Sequence, residues 1–177
     1  DAWRNNSMDR DLERIVLATY GGFLTEADHR ARIEFLLWTN QRSAATKLKP
    51  LVSADYRKLV DARIALASRG RNVDRLVDAV PASLQDNPGL LYDRARWRRT
   101  RGNQDGATPL LVGIDANDVP EAGRSKLWDE RSTAMRTDLK DGNWSRAYQL
   151  TAPHGMTEGS DYADAEWAAG WIALRLN

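Results

Sequence analysis

Apolar residues recur at helical spacing along almost the whole chain. Leu12, Ile15, Val16 and Thr19 make the first stripe, stopped by Gly21-Gly22. Thr25, with Asp28 three residues on, predicts a capped helix carrying His29, Ile33, Leu36 and Leu37 on one face. A short helix is expected from Gln41 to Lys49, ended by Pro50. Tyr56, Leu59, Val60, Ile64 and Ala67 stripe a longer helix that stops near Gly70, and a short one from Val73 to Ala79 is closed by Pro81. Asn87-Pro88 opens the next, which carries Leu90, Leu91, Trp97 and Arg101 and ends at Gly102, with Asp105 to Ile114 as its shorter partner. Leu127, Trp128, Arg131, Met135 and Leu139 mark a long helix that ends before Gly142. Asn143 is expected to cap a helix with Trp144, Ala147 and Tyr148, stopped by Pro153. Val and Ile never alternate as in a strand, and Leu110-Leu111-Val112-Gly113-Ile114 is the one ambiguous run.

The stretch 161–176 is apolar nearly all round. Trp167, Gly170, Trp171 and Leu174 fall at i, i+3, i+4 and i+7, while Ala165, Ala168, Ala169 and Ile172 cover much of the remaining surface. Such a helix is expected to be buried, capped by Ser160, with Trp171 at its packing centre. Gly170 costs about 1 kcal/mol of helix propensity relative to Ala, so it is expected to admit a neighbouring helix at close range.

A weak repeat underlies the pattern. The turns at Gly70, Gly102 and Gly142 each join a long helix to a shorter one, and Trp38-Thr39-Asn40-Gln41 fits one unit earlier without its Gly. Five residues after the turn stand Ala45, Ala107 and Ala147, small where two helices would cross; Arg75 breaks the pattern. Helix pairs at a period of about 30–40 residues imply an all-α solenoid of the tetratricopeptide or HEAT kind. The fold class is therefore an α-superhelix of irregular antiparallel helix pairs, spanning residues 1–177 as a single domain.

Composition narrows the function by exclusion. The 177 residues carry 26 Lys and Arg against 25 Asp and Glu, so net charge exerts no bulk pull toward nucleic acid or anionic membrane. No run approaches the roughly 18 apolar residues of a membrane span. Cysteine is absent, which removes disulfides and thiolate metal sites. No Gly-rich phosphate loop, His-Glu-x-x-His or nucleophile elbow is present, and no cofactor or metal site is expected. His29 and His154 stand far apart and read as hydrogen-bonded packing residues.

The conspicuous polar cluster surrounds Trp97: Arg94, Arg96, Arg98, Arg99 and Arg101. It reads either as a basic, aromatic surface for a phosphate, carboxylate or sugar, or as a solvated helix face whose arginines pair with Asp93 and other acids. Arg94, Trp97, Arg98 and Arg101 are the candidate glycan-binding residues. The tryptophans at stripe positions (Trp97, Trp128, Trp144, Trp167 and Trp171) are expected in the core rather than stacked on sugar.

Three stretches carry a family resemblance. His154-Gly155-Met156-Thr157-Glu158-Gly159, with Tyr162-Ala163-Asp164-Ala165-Glu166-Trp167 and Gly170-Trp171-Ile172-Ala173-Leu174-Arg175, resembles the end of the superhelical (U-type) domain of soluble lytic murein transglycosylases. Asp28-His29-Arg30-Ala31-Arg32 with Leu36-Leu37-Trp38 is similar to an earlier stretch of that domain, as is the run from Gly89 to Arg99. In that family a long α-superhelix, often closed into a ring, precedes a lysozyme-like domain. Those enzymes cut between N-acetylmuramic acid and N-acetylglucosamine and leave a 1,6-anhydro end. Their catalytic Glu lies in a Glu-Ser motif accompanied by Gly-Leu-Met-Gln. Here no Glu precedes a Ser and Gly-Leu-Met-Gln is missing.

The resemblance thus implies a non-catalytic scaffold segment of a peptidoglycan lytic transglycosylase. It implies a periplasmic location, murein glycan strands as partner, and a catalytic domain in cis. Trp3, without an earlier partner, and the apolar helix running to Leu176 are expected of a fragment. The alternative is a stand-alone helical-repeat adaptor that grips a peptide or protein in its concave face.

Overall fold

The computed structural model describes residues 2–176. Its α-helices are α1 (Ala2–Asn5), α2 (Arg10–Tyr20), α3 (Glu26–Trp38), α4 (Arg42–Leu48), α5 (Ala54–Ala67) and α6 (Val73–Asp78), then α7 (Pro88–Arg99), α8 (Gln104–Val112), α9 (Glu121–Lys140), α10 (Trp144–Thr151) and α11 (Ser160–Leu176). No strand occurs among the described residues, so the all-α fold expected from the stripes is the fold observed. The ambiguous Leu110–Ile114 run is the end of α8, where the Gly113 N–H bonds back to the Pro109 carbonyl. The chain divides into two compact units, Asp1–Leu84 with α1–α6 and Gln85–Asn177 with α7–α11.

Four long-to-short helix pairs share one turn. A left-handed residue follows each long helix: Asn40 (φ 63), Arg69 (φ 54), Gly102 (φ 79) and Gly142 (φ 80). Its N–H and the next one reach back over the last helical turn. Asn40 bonds Leu37 O at 3.1 Å and Gln41 bonds Leu36 O at 2.7 Å; Gly102 bonds Arg99 O at 2.9 Å and Asn103 bonds Arg98 O at 3.0 Å. Arg69–Leu66 with Gly70–Ala65, and Gly142–Leu139 with Asn143–Asp138, repeat the pattern. This is the Schellman closure, which satisfies carbonyls the helix end leaves orphaned.

Aligning Gly70 with Gly102 and Gly142 is off by one residue, because Arg69 takes the left-handed position. The second pair also starts its short helix later: Asn72, itself left-handed at φ 57, precedes α6. The crossing alanine is accordingly missing there, and Val73 and Val77 are buried instead. In the other pairs Ala45, Ala107 and Ala147 are each 0% exposed, as their spacing predicts.

Among the described residues, side-chain caps begin five of the eleven α-helices. Thr25 and Asp28 form a reciprocal capping box, and Asp9, Ser53, Asn87 and Asn103 each accept a backbone N–H in the first turn of α2, α5, α7 and α8. Two expected caps differ. Asn143 precedes α10 without a side-chain cap bond. Ser160 is already helical, and the first α11 bond runs from Ala163 N–H to Gly159 O at 3.2 Å.

In the first unit, α3 and α5 bury Ile33, Leu36, Trp38, Leu59, Val60 and Leu66. Trp3 finds its partners within the chain: it is buried, edge-on to His29 at 5.8 Å and under the Arg32 guanidinium at 5.3 Å. The α2 stripe forms a helix but is not buried, with Leu12 and Ile15 at 45% and 54% exposure. The wholly buried Arg32 is tied to the Asn6 carbonyl and faces Glu13 at 3.4 Å. Arg63 pairs with Glu34, which also accepts from the Tyr56 hydroxyl at 2.8 Å.

In the second unit α9 is buried along Leu127, Trp128, Arg131 and Met135, as the stripe predicts, while Leu139 at its end is half-buried. Helix α11 corrects the sequence reading. It packs through Ala165, Ala168 and Ile172, at 0%, 4% and 0% exposure, while Trp167 and Leu174 are exposed at 67% and 79%. Nothing lies within 4 Å of a Cβ built on Gly170, so no helix approaches there. Small residues let α11 lie close to its neighbours, and bulky indoles do not fit on that contact. Of the five tryptophans expected in the core, Trp128 is buried at 3% exposure; Trp97, Trp144 and Trp171 are half-buried.

Candidate functional site

Arg94, Trp97, Arg98 and Arg101 fall on one stripe that begins in α7 and continues into its closing turn. Buried Leu90 stands one turn before Arg94 and two before Trp97 on this same face, so the stripe is half-buried at Arg94, Trp97 and Arg98 and exposed at Arg101. Arg101 lies over the Trp97 ring, its guanidinium carbon 3.9 Å from the centroid. That is a cation–aromatic contact between residues at i, i+4 spacing. Arg98 is otherwise engaged: its Nη1 donates to the Gly106 carbonyl at 2.7 Å and ties α7 to α8. Arg94 Nη1 donates to Gln85 Oε1 at 3.4 Å.

The remaining arginines point elsewhere. Arg99 grips Glu130 of α9 with two bonds of 2.6 and 2.8 Å, and Arg96 stands 3.6 Å from the same carboxylate. That carboxylate bond raises the Arg99 pKa above its ordinary value. The cluster therefore splits into a structural clamp on Glu130 and a half-buried stripe, whose exposed end is Arg101 over the Trp97 ring.

The stretch beginning at His154 is a second built feature. Buried Arg131 donates to Leu111 O at 3.2 and 3.0 Å, to Ile114 O at 2.5 Å and to Pro153 O at 2.6 Å. The first two carbonyls lie at the negative end of α8, which suits a guanidinium. Burial lowers the Arg131 pKa to about 10, still well above neutrality. Arg124 donates to Gly155 O at 2.6 Å. Gly155 is left-handed (φ +69), and a Cβ there would lie 2.9 Å from the Ala116 Cβ, so this close approach requires glycine.

His154 Nδ1 accepts the Met156 N–H at 3.1 Å, which leaves Nε2–H to donate to Glu166 Oε1 at 2.8 Å. Tyr162 meets the imidazole edge at 5.7 Å. Both ring nitrogens are thereby engaged, and Glu166 fixes the orientation of the buried imidazole. Beside the loop is a cleft of about 460 Å³ lined by Glu121, Arg124, Ser125, Thr157 and Glu158.

A third feature escaped the sequence reading. Trp144, Trp171 and Trp167 form a chain of rings on α10 and α11. Trp144 and Trp171 have centroids 5.5 Å apart; Trp171 and Trp167 are 6.1 Å apart, their planes within 8° of parallel. Arg175 lies 5.4 Å from the Trp171 centroid. The signal was present in the sequence: Ala165, Ala168 and Ile172 offered a competing, smaller-residue stripe on the same helix.

Among the described residues no group of His, Asp and Glu side chains could hold a metal ion, and no helix is long and apolar enough to cross a membrane. The chain matches no protein-family model, no curated protein and no solved structure.

Proposed function

We propose that this chain is the non-catalytic superhelical scaffold segment of a lytic transglycosylase, which shapes or binds murein glycan for a lysozyme-like domain in cis in the periplasm. The observation that carries this reading is the structural use of the residues that resemble the family. In the 154–175 stretch, Gly155 makes the close approach to Ala116, His154 bonds Glu166, and Ala165, Ala168 and Ile172 pack α11. In the 28–38 stretch, Asp28 closes a capping box, and His29, Arg32 and Trp38 are buried. In the 89–99 stretch, Gly89, Leu90, Leu91, Tyr92 and Ala95 are buried. These are framework roles, which is what a scaffold's signature residues would have.

Glycosidic cleavage needs a carboxylic acid held at the leaving oxygen. Glu166, inside the resembling stretch, is bonded to His154, and Glu130 is clamped by Arg99. Co-sedimentation of the purified chain with isolated murein sacculi, with the soluble fraction assayed for anhydro-muropeptides, tests the reading. Binding without release is expected. Failure to bind, or turnover abolished by replacing one glutamate, overturns it.

A further inference from the structure

We infer that the Trp144–Trp171–Trp167 ridge is a stacking platform for a carbohydrate strand that carries acidic substituents; identifying that strand as murein rests on the function proposed above. The first ground is the exposure of the aromatic surface. Trp167 is 67% exposed, Trp171 and Trp144 are half-buried, and the position between them on α11 is Gly170, with open space above it. A glycine within a helix is unfavourable, and no packing contact accounts for this one. It does leave the floor between the indoles free of side chain. The face of an indole carries negative charge density, and the outward C–H groups of a pyranose ring present the complementary partial positive charge.

The second ground is polar. Asn143 adjoins Trp144 and lines a cleft of about 490 Å³ with Ser145, Arg146 and Leu176. Asn103, its counterpart in the preceding turn, spends its side chain on the Gly106 N–H at 2.8 Å, whereas Asn143 makes no cap bond. Its planar amide is free to donate and accept at once, as sugar hydroxyls and N-acetyl groups require. The third ground is charge. Arg175 rests on Trp171 and has no carboxylate partner among the described residues. A carboxylate on the strand would supply one. An uncharged helix docking on this face would use neither the amide nor the guanidinium.

The test is titration of the purified chain with a tetrasaccharide of alternating N-acetylglucosamine and N-acetylmuramic acid, and with chitotetraose, which lacks the lactyl carboxylate. Trp167→Ala and Asn143→Ala, both at exposed positions, are expected to weaken the muramyl ligand about tenfold each while circular dichroism is unchanged. Arg175→Gln is expected to remove the preference for the muramyl ligand over chitotetraose. Unchanged affinity in all three variants, with sacculi still bound, overturns the platform and leaves the scaffold reading standing. A parent chain that binds neither sacculi nor tetrasaccharide overturns both. Conversion of a self-associated chain to monomer by Trp167→Ala, without loss of sugar affinity, would assign the ridge to a second copy and overturn the platform.

Discussion

Arg131 Nη1 donates to the Pro153 carbonyl at 2.6 Å, and the same guanidinium holds Leu111 O and Ile114 O. One fully buried cation on α9 thus fastens the end of α8 and the start of the 153–159 loop. Arg131→Met keeps the volume and removes every donor, leaving those carbonyls without their partner. A loss of about 3–5 kcal/mol is expected from stranding such buried polar groups, read as a lower urea midpoint with unchanged slope. Arg131→Lys recovers part of that loss.

Gly155→Ala tests the same loop through the backbone. The residue is left-handed at φ +69, and its added methyl would meet Ala116. The expected cost is about 1–3 kcal/mol. Gly102→Ala, also left-handed but with nothing within 4 Å, isolates the backbone contribution and costs less. Equal losses at the two sites would rule out the close approach.

The burial pattern reverses an expectation for α11. Read from its stripe, Gly170→Leu would overpack and Trp171→Ala would be among the most damaging changes. With open space at Gly170, Gly170→Ala instead stabilises by about 0.5–1 kcal/mol through helix propensity. Trp128→Ala, at 3% exposure, costs about 3–5 kcal/mol and also strands the bond of 3.1 Å to Asp164. Half-buried Trp171→Ala costs less. Chemical denaturation of the three variants gives the order.

Two carboxylates of the first unit confer acid sensitivity. Hydrogen bonds from Ser53 and Arg30 lower Glu26 from 4.5 to about 2, and those from Thr25 and Arg4 hold Asp28 well below its usual 3.8. Both carboxylates bind fewer protons in the folded chain. Their contribution is complete above the unfolded values and drains away as pH falls toward 2.

His29 adds a window at higher pH. Burial lowers its pKa below 6.5, so its contribution is present above that value and is lost as pH falls through the folded pKa. Thermal melts from pH 7 to 2 are expected to decline in two stages. His29→Leu flattens the first stage and Asp28→Asn shrinks the second.

Helix positions were readable where stripes, caps and stops agree: Thr25 with Asp28, Asn87 with Pro88, and Pro50 after Leu48. Which face a helix buries was readable where only one face is apolar, as on α9. On α11 two apolar faces competed, and apolar character alone does not weigh an indole against an alanine. Close packing does, and it selected the alanines. The buried arginines were harder to foresee. Arg32 and Arg63 look like polar punctuation in an apolar stripe, because their partners, Glu13 and Glu34, lie 19 and 29 residues away. Of the candidate stripe, the Trp97–Arg101 pair follows directly from i, i+4 spacing. The capture of Arg98 by a backbone carbonyl does not, since carbonyls leave no mark in the sequence.

The four Schellman closures bear on how the chain reaches its native state. Each is made by backbone groups three to five residues apart, so a hairpin of helices can latch before any distant segment arrives. Loop-closure entropy is small for such contacts, and topologies dominated by them fold rapidly. Assembly is then a matter of growing from whichever latch closes first, and a substitution in one turn would slow its own pair more than the rest. Arg69 stands apart in that scheme: it is the latch whose left-handed residue is neither glycine nor asparagine, and the α5–α6 pair is where the delay would fall.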